Sequence, residues 1–144
     1  MEMINEIYDL YDAYIKKVDE LERNKKITAG LFGLTRGPKD DPCHDQFAED
    51  LEAKLQAFAA SDPDPAEVNS LLTFMFSVPL KYRDKQLIYW MFAAVHILTP
   101  DLIRLLNRAD AEVLYEQYSR DYPRWERLPA QKKVLKALKD KEKG

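Results

Sequence analysis

The sequence predicts an all-α fold, a single irregular bundle of six or seven helices around a central apolar helix. Three observations carry this expectation. Apolar residues recur at spacings of three and four, cap-then-proline pairs mark helix starts, and no alternating run offers a strand with a partner.

The first segment, residues 3 to about 24, places Ile4, Ile7, Tyr11, Tyr14, Val18 and Leu21 on one narrow seam, the mark of an amphipathic helix. Asp12 with Lys16, Asp19 with Arg23 and Glu22 with Lys26 are acid-before-base pairs four residues apart, which support an exposed helical face. Periodicity then stops over residues 25–41. That segment holds Gly30, Gly33 and Gly37, three of the chain's 4 glycines, and is long for a helix connector. Its Ile27, Leu31, Phe32 and Leu34 favour a loop that packs down onto the domain.

Asp41-Pro42 fits an N-cap and first helical position, and Phe47, Leu51, Leu55 and Phe58 form the stripe of a second helix over 42–60. Asp64, Pro65 and Glu67 start a third, which runs to about Ser77. Phe74 to Val78 is rich in β-formers but has no partner strand, so it belongs to this helix. Pro79 is expected to end it by pushing the preceding residue out of helical geometry. Residues 84–98 form the near-apolar fourth helix, too short at this length to cross a bilayer, which takes roughly 20 residues. Thr99-Pro100-Asp101 opens a short helix through Leu102, Ile103, Leu105 and Leu106, with Asn107 expected to close it. Ala111, Leu114, Tyr115, Tyr118 and Tyr122 mark another helix up to Pro123. Pro129 starts the last, with Ala130, Val134, Ala137 and Leu138 on its apolar side.

A length of 144 residues suits one domain without an internal linker. Charged residues make up 33%, above the usual value of about 25%, yet the net charge is only −3, so no global field selects nucleic acid or a membrane surface. The single cysteine, Cys43, rules out an intramolecular disulfide, and the acidic start Met1 to Glu6 does not resemble an export signal. The expected location is cytoplasmic.

Four features invite chemistry. Cys43-His44-Asp45 stands at a helix start, where unpaired N–H groups favour a thiolate. Successive helical residues diverge by about 100°, so the three side chains cannot chelate one ion, and His44 falls on the apolar stripe. The glycines of the 25–41 loop, with Arg36 and Lys39, precede a helix N-terminus able to take an anion. Their spacing matches neither a dinucleotide fingerprint nor a phosphate loop, and Asp40 and Asp41 oppose an anion. Gln86, Tyr89, Ala93 and His96 form a polar strip along the fourth helix, to be satisfied by an internal hydrogen-bond network or to line a polar cleft. From Arg120 onward the chain carries net +5, leaving −8 on the rest. There Arg120, Arg124 and Arg127 lie among Tyr118, Tyr122 and Trp125, a mixture that contacts phosphates and bases or an acidic protein surface. Complementing a helix dipole is the plainer use of its lysines.

The chain contains no Gly-x-Ser-x-Gly, no His-Glu-x-x-His and no paired Glu-x-x-His. The leading expectation is a small non-catalytic helical module that acts through a protein partner or by self-association. The first alternative is a ligand-binding protein or enzyme with a pocket between the 25–41 loop and the helix carrying His96. Its candidate contacts are Arg36, Cys43, His44, Gln86, Tyr89 and His96. The second is nucleic-acid binding through Arg120, Arg124, Trp125 and Arg127. No cofactor, metal or membrane contact is implied.

Overall fold

The computed structural model describes residues 2–23, 42–124 and 127–144, so the expected glycine-bearing loop of residues 25–41 lies outside the described residues. These residues form seven α-helices and two 3₁₀ turns, and no strand occurs among them. In chain order they are α1 (Glu2–Arg23), α2 (Pro42–Ala60), α3 (Pro65–Ser77), a 3₁₀ turn (Val78–Tyr82) and α4 (Gln86–Ala94). A second 3₁₀ turn (Val95–Leu98) leads to α5 (Pro100–Ile103), α6 (Arg108–Asp121) and α7 (Pro129–Lys143).

Proline sets four of these starts. Pro42, Pro65, Pro100 and Pro129 each occupy the first helical position, where a missing N–H costs nothing and a fixed φ is already helical. Asp64 has the extended backbone of an N-cap, although its side chain makes no cap bond. Asn107 corrects the expectation of a closing residue. Its side chain accepts the Asp110 N–H at 2.9 Å, so it caps the start of α6.

The third helix ends at Ser77 as expected, but the residues before Pro79 and Pro100 do not leave helical geometry as the pre-proline rule predicts. Val78 stays helical in front of Pro79 and Thr99 stays helical in front of Pro100, and both residues are buried. The backbone tightens into 3₁₀ turns instead of leaving helical space. The expected fourth helix is accordingly an α-helix only over Gln86–Ala94, continued by the turn Val95–Leu98.

Ile4, Ile7, Tyr11, Tyr14 and Val18 of the α1 seam are buried as the periodicity requires, and α1 packs along α2. Phe92 of α4 projects between them, its ring 5.5 Å from Tyr11, 5.4 Å from Tyr14 and 5.9 Å from Phe47. From α4 onward Ile88, Tyr89, Met91, Phe92, Ala93, Val95 and His96 are all buried. The last helix, α7, closes the other side through Ala130, Val134, Leu135 and Leu138, packing on α6, on α5 and on the Val95–Leu98 turn. Its first turn is held by Gln131, whose Oε1 accepts the Leu128 N–H at 2.7 Å.

Candidate functional site

The prolines that tighten the chain also leave carbonyl oxygens without their helical donors, and these oxygens organise the polar interior. Pro79 has no N–H to return to the Met75 carbonyl four residues earlier, and Pro100 has none for the His96 carbonyl. The His96 oxygen is taken by Thr99, through its backbone N–H at 3.1 Å and its hydroxyl at 2.7 Å. The Met75 oxygen lies 3.1 Å from His96 Nε2. A carbonyl can only accept, so Nε2 carries the proton, and Nδ1 accepts from the Tyr118 hydroxyl at 2.8 Å. The Tyr122 hydroxyl donates to the neighbouring carbonyl of Phe76.

His96 is fully buried and both ring nitrogens are engaged. Burial holds its pKa down to about 4, partly opposed by the Met75 carbonyl, so the imidazole is neutral at pH 7. Burial likewise raises the Tyr118 and Tyr122 hydroxyls, so both stay protonated. The Phe76 ring stands edge-on to His96 at 5.1 Å and to Tyr118 at 4.8 Å, closing the cluster with apolar surface. This arrangement pins α3, the end of α4 and α6 together. With both His96 ring nitrogens taken up by protein partners and no ring atom exposed, the cluster has the form of an internal hydrogen-bond network.

A different feature faces outward. Between the C-terminal half of α2 and the segment from the second 3₁₀ turn into α5 lies a groove of about 300 Å³. One wall is the α2 stripe Glu52, Leu55, Gln56 and Ala59, and the other is formed by Ile97, Leu98, Pro100, Asp101 and Leu102. The 3₁₀ tightening explains the second wall. Three residues per turn place Val95, His96 and Thr99 inward and leave Ile97 43% exposed, the most exposed large apolar side chain of that segment. Glu52 and Asp101 stand on opposite rims, and among the described residues no Lys or Arg lines the groove.

No known family, curated protein or solved structure matches this chain.

Of the residues singled out from sequence, Tyr89 and His96 share one interior cluster. The Tyr89 ring lies 6.3 Å from Tyr122, which in turn meets His96 at 5.6 Å. The polar strip of the fourth helix is thus a wall of the core over its described part. Arg36 and Trp125 lie outside the described residues, as do the side chains of Cys43, His44 and Gln86. Arg120 and Arg124 are exposed, while the Arg127 Nε donates to the Tyr122 carbonyl at 3.0 Å. Two of the aromatic residues expected beside them, Tyr118 and Tyr122, are buried and cannot stack on bases. Among the described residues no group of three or more His, Cys, Asp or Glu is placed to hold a metal ion, and no helix is long and apolar enough to cross a membrane.

Sequence reasoning missed the groove and the partners of His96. Pro79 was the available signal for the second, since a proline in helical context frees the carbonyl four residues back, and a buried histidine is one of the few donors able to claim it.

Proposed function

We propose that the chain is a helical protein-interaction module whose contact surface is the groove between α2 and the 97–102 segment. The observation that carries this reading is Ile97, held 43% exposed at the edge of a concavity whose apolar lining is flanked by Glu52, Gln56 and Asp101. A branched aliphatic side chain in water costs about 25 cal/mol for each Å² left uncovered, and a partner that covers it recovers that free energy. Val113, at 62% exposed, does not compete with it, because it sits singly on the outer face of α6 and lines none of the described grooves. Scattered single apolar residues are ordinary surface, whereas one at the lip of an apolar cleft is a contact feature.

A photo-crosslinking amino acid at position 97, with position 113 as the control, tests the reading. Discrete adducts from 97 and none from 113 are expected in cells, and a homodimer mass would identify self-association. Equal labelling from both positions, or none from 97, would overturn it.

A further inference from the structure

We infer that the occupant of this groove is an amphipathic helix of a different protein, with an apolar stripe flanked on both sides by Lys or Arg. The inference rests on the groove being the contact surface. Three observations select this partner.

The first is shape. Glu52, Leu55, Gln56 and Ala59 follow the three-and-four spacing of one helical stripe, a straight ridge about 10 Å long. A straight ridge beside a groove suits a second rod, which would present anchors at i, i+3 or i+4 and i+7. Ala59 allows close approach on one side, and Ile97 and Leu98 supply the facing apolar contact.

The second is charge. Glu52 and Asp101 place one carboxylate on each rim, and the exposed face of α2 continues the acidic lip through Glu49. The cation nearest in sequence, Arg104, pairs with Asp101 at 3.5 Å, but with side chains 80% and 84% exposed this pair is worth little and yields readily to a better-placed partner cation. Lys54, one residue from the groove stripe, is turned toward α1, where it meets Glu6 at 3.7 Å. A helix with acidic flanks would therefore set like charges against both rims, and one with basic flanks would meet a carboxylate on each side.

The third weighs against the described helices of a second copy. The chain has its own basic amphipathic helix in α7, but the apolar stripe of α7, Val134, Leu135 and Leu138, is buried in its own core. What α7 offers outward is Lys132, Lys133 and Lys136, charge without anchors. Ile4, Ile7, Tyr11, Tyr14 and Val18 of the α1 seam are consumed in the same way. Neither helix can enter the groove of another molecule without unfolding the first.

Fluorescence anisotropy with the full chain and three labelled 18-residue helical peptides tests the inference. One carries a leucine stripe with lysine flanks, one the same stripe with glutamate flanks, and one the lysine composition in scrambled order. The lysine-flanked helix is expected to bind at least tenfold more tightly than the other two. The double variant E52K/D101K reverses the preference between lysine and glutamate flanks, and I97D, checked for fold by circular dichroism, removes binding of all three. Equal affinity for both flank charges, or a preference that E52K/D101K leaves unchanged, overturns the charge assignment while loss in I97D upholds the groove. Binding indifferent to I97D instead overturns the groove reading. If the scrambled peptide binds as well as the striped one, or none binds, the occupant is not such a helix, and the crosslinks from position 97 still decide whether the groove is a contact surface.

Discussion

Acidification from pH 7 to pH 5 draws stability from this fold through His96. In the unfolded chain the imidazole titrates near 6.5, and in the fold near 4, because burial penalises the cation. As pH falls, the unfolded chain therefore binds a proton that the native state refuses. The stabilising effect is fully present above pH 6.5 and is lost progressively between 6.5 and 4. A gap of that size, at 1.36 kcal/mol for each pH unit, amounts to about 3 kcal/mol in total, of which about 2 kcal/mol is gone by pH 5. Against a typical stability of roughly 5–15 kcal/mol this is a large fraction. Urea titrations at pH 7, 6 and 5 measure it in the wild type and in His96→Gln, which keeps one donor and one acceptor but cannot ionise. His44 is present in both proteins, so its contribution cancels in the comparison. The wild type should lose about 2 kcal/mol more than the variant between pH 7 and 5, with the denaturant slope unchanged. Parallel losses in the two proteins would refute the claim that His96 is neutral and desolvated in the native state.

The other predictions concern the same interior and its caps. Tyr122→Phe strands the Phe76 carbonyl and should cost about 1–3 kcal/mol by urea unfolding. Tyr11→Phe is the counterpart, since the Tyr11 hydroxyl is buried with no hydrogen-bond partner among the described residues; it should be neutral or stabilising in the same measurement. Asn107→Ala removes the side-chain cap of α6 and should cost about 1 kcal/mol, seen as a lowered Tm. Phe92→Ala empties the space between α1 and α2 and should cost about 3–5 kcal/mol, with added benzene restoring part of the loss if the resulting cavity stays dry.

Much of the architecture was legible because it follows from local rules. Pro42, Pro65, Pro100 and Pro129 announce helix starts through their own covalent geometry, and the stripes of α1 and α2 state which face is inside. What failed needed information from elsewhere in the chain. Asn107 serves equally as a left-handed closing residue or as an N-cap, and only the helix that follows it decides. Val78 and Thr99 keep helical geometry against the pre-proline preference because burial holds them there. The partners of His96 lie 21 and 22 residues away, beyond any periodicity. The groove was illegible for a related reason. Ile97 belongs to an apolar run, and nothing in that run says which member the 3₁₀ tightening will turn outward.

The carbonyls freed by Pro79 bear on how the chain reaches its native state. The last carbonyls of an ordinary helix are met by a local cap, a tightened turn or water. The end of α3 must wait for His96, and the neighbouring Phe76 carbonyl must wait for a hydroxyl 46 residues along the chain. Until α6 has docked, drying this surface leaves oxygens without donors, so a half-assembled core gains little from expelling water. Such a design favours assembly in one concerted step and discourages partly folded forms with exposed apolar faces. Native-state hydrogen exchange would reveal it as a single protected unit, with the amides around Met75, His96 and Tyr118 opening together at the free energy of global unfolding.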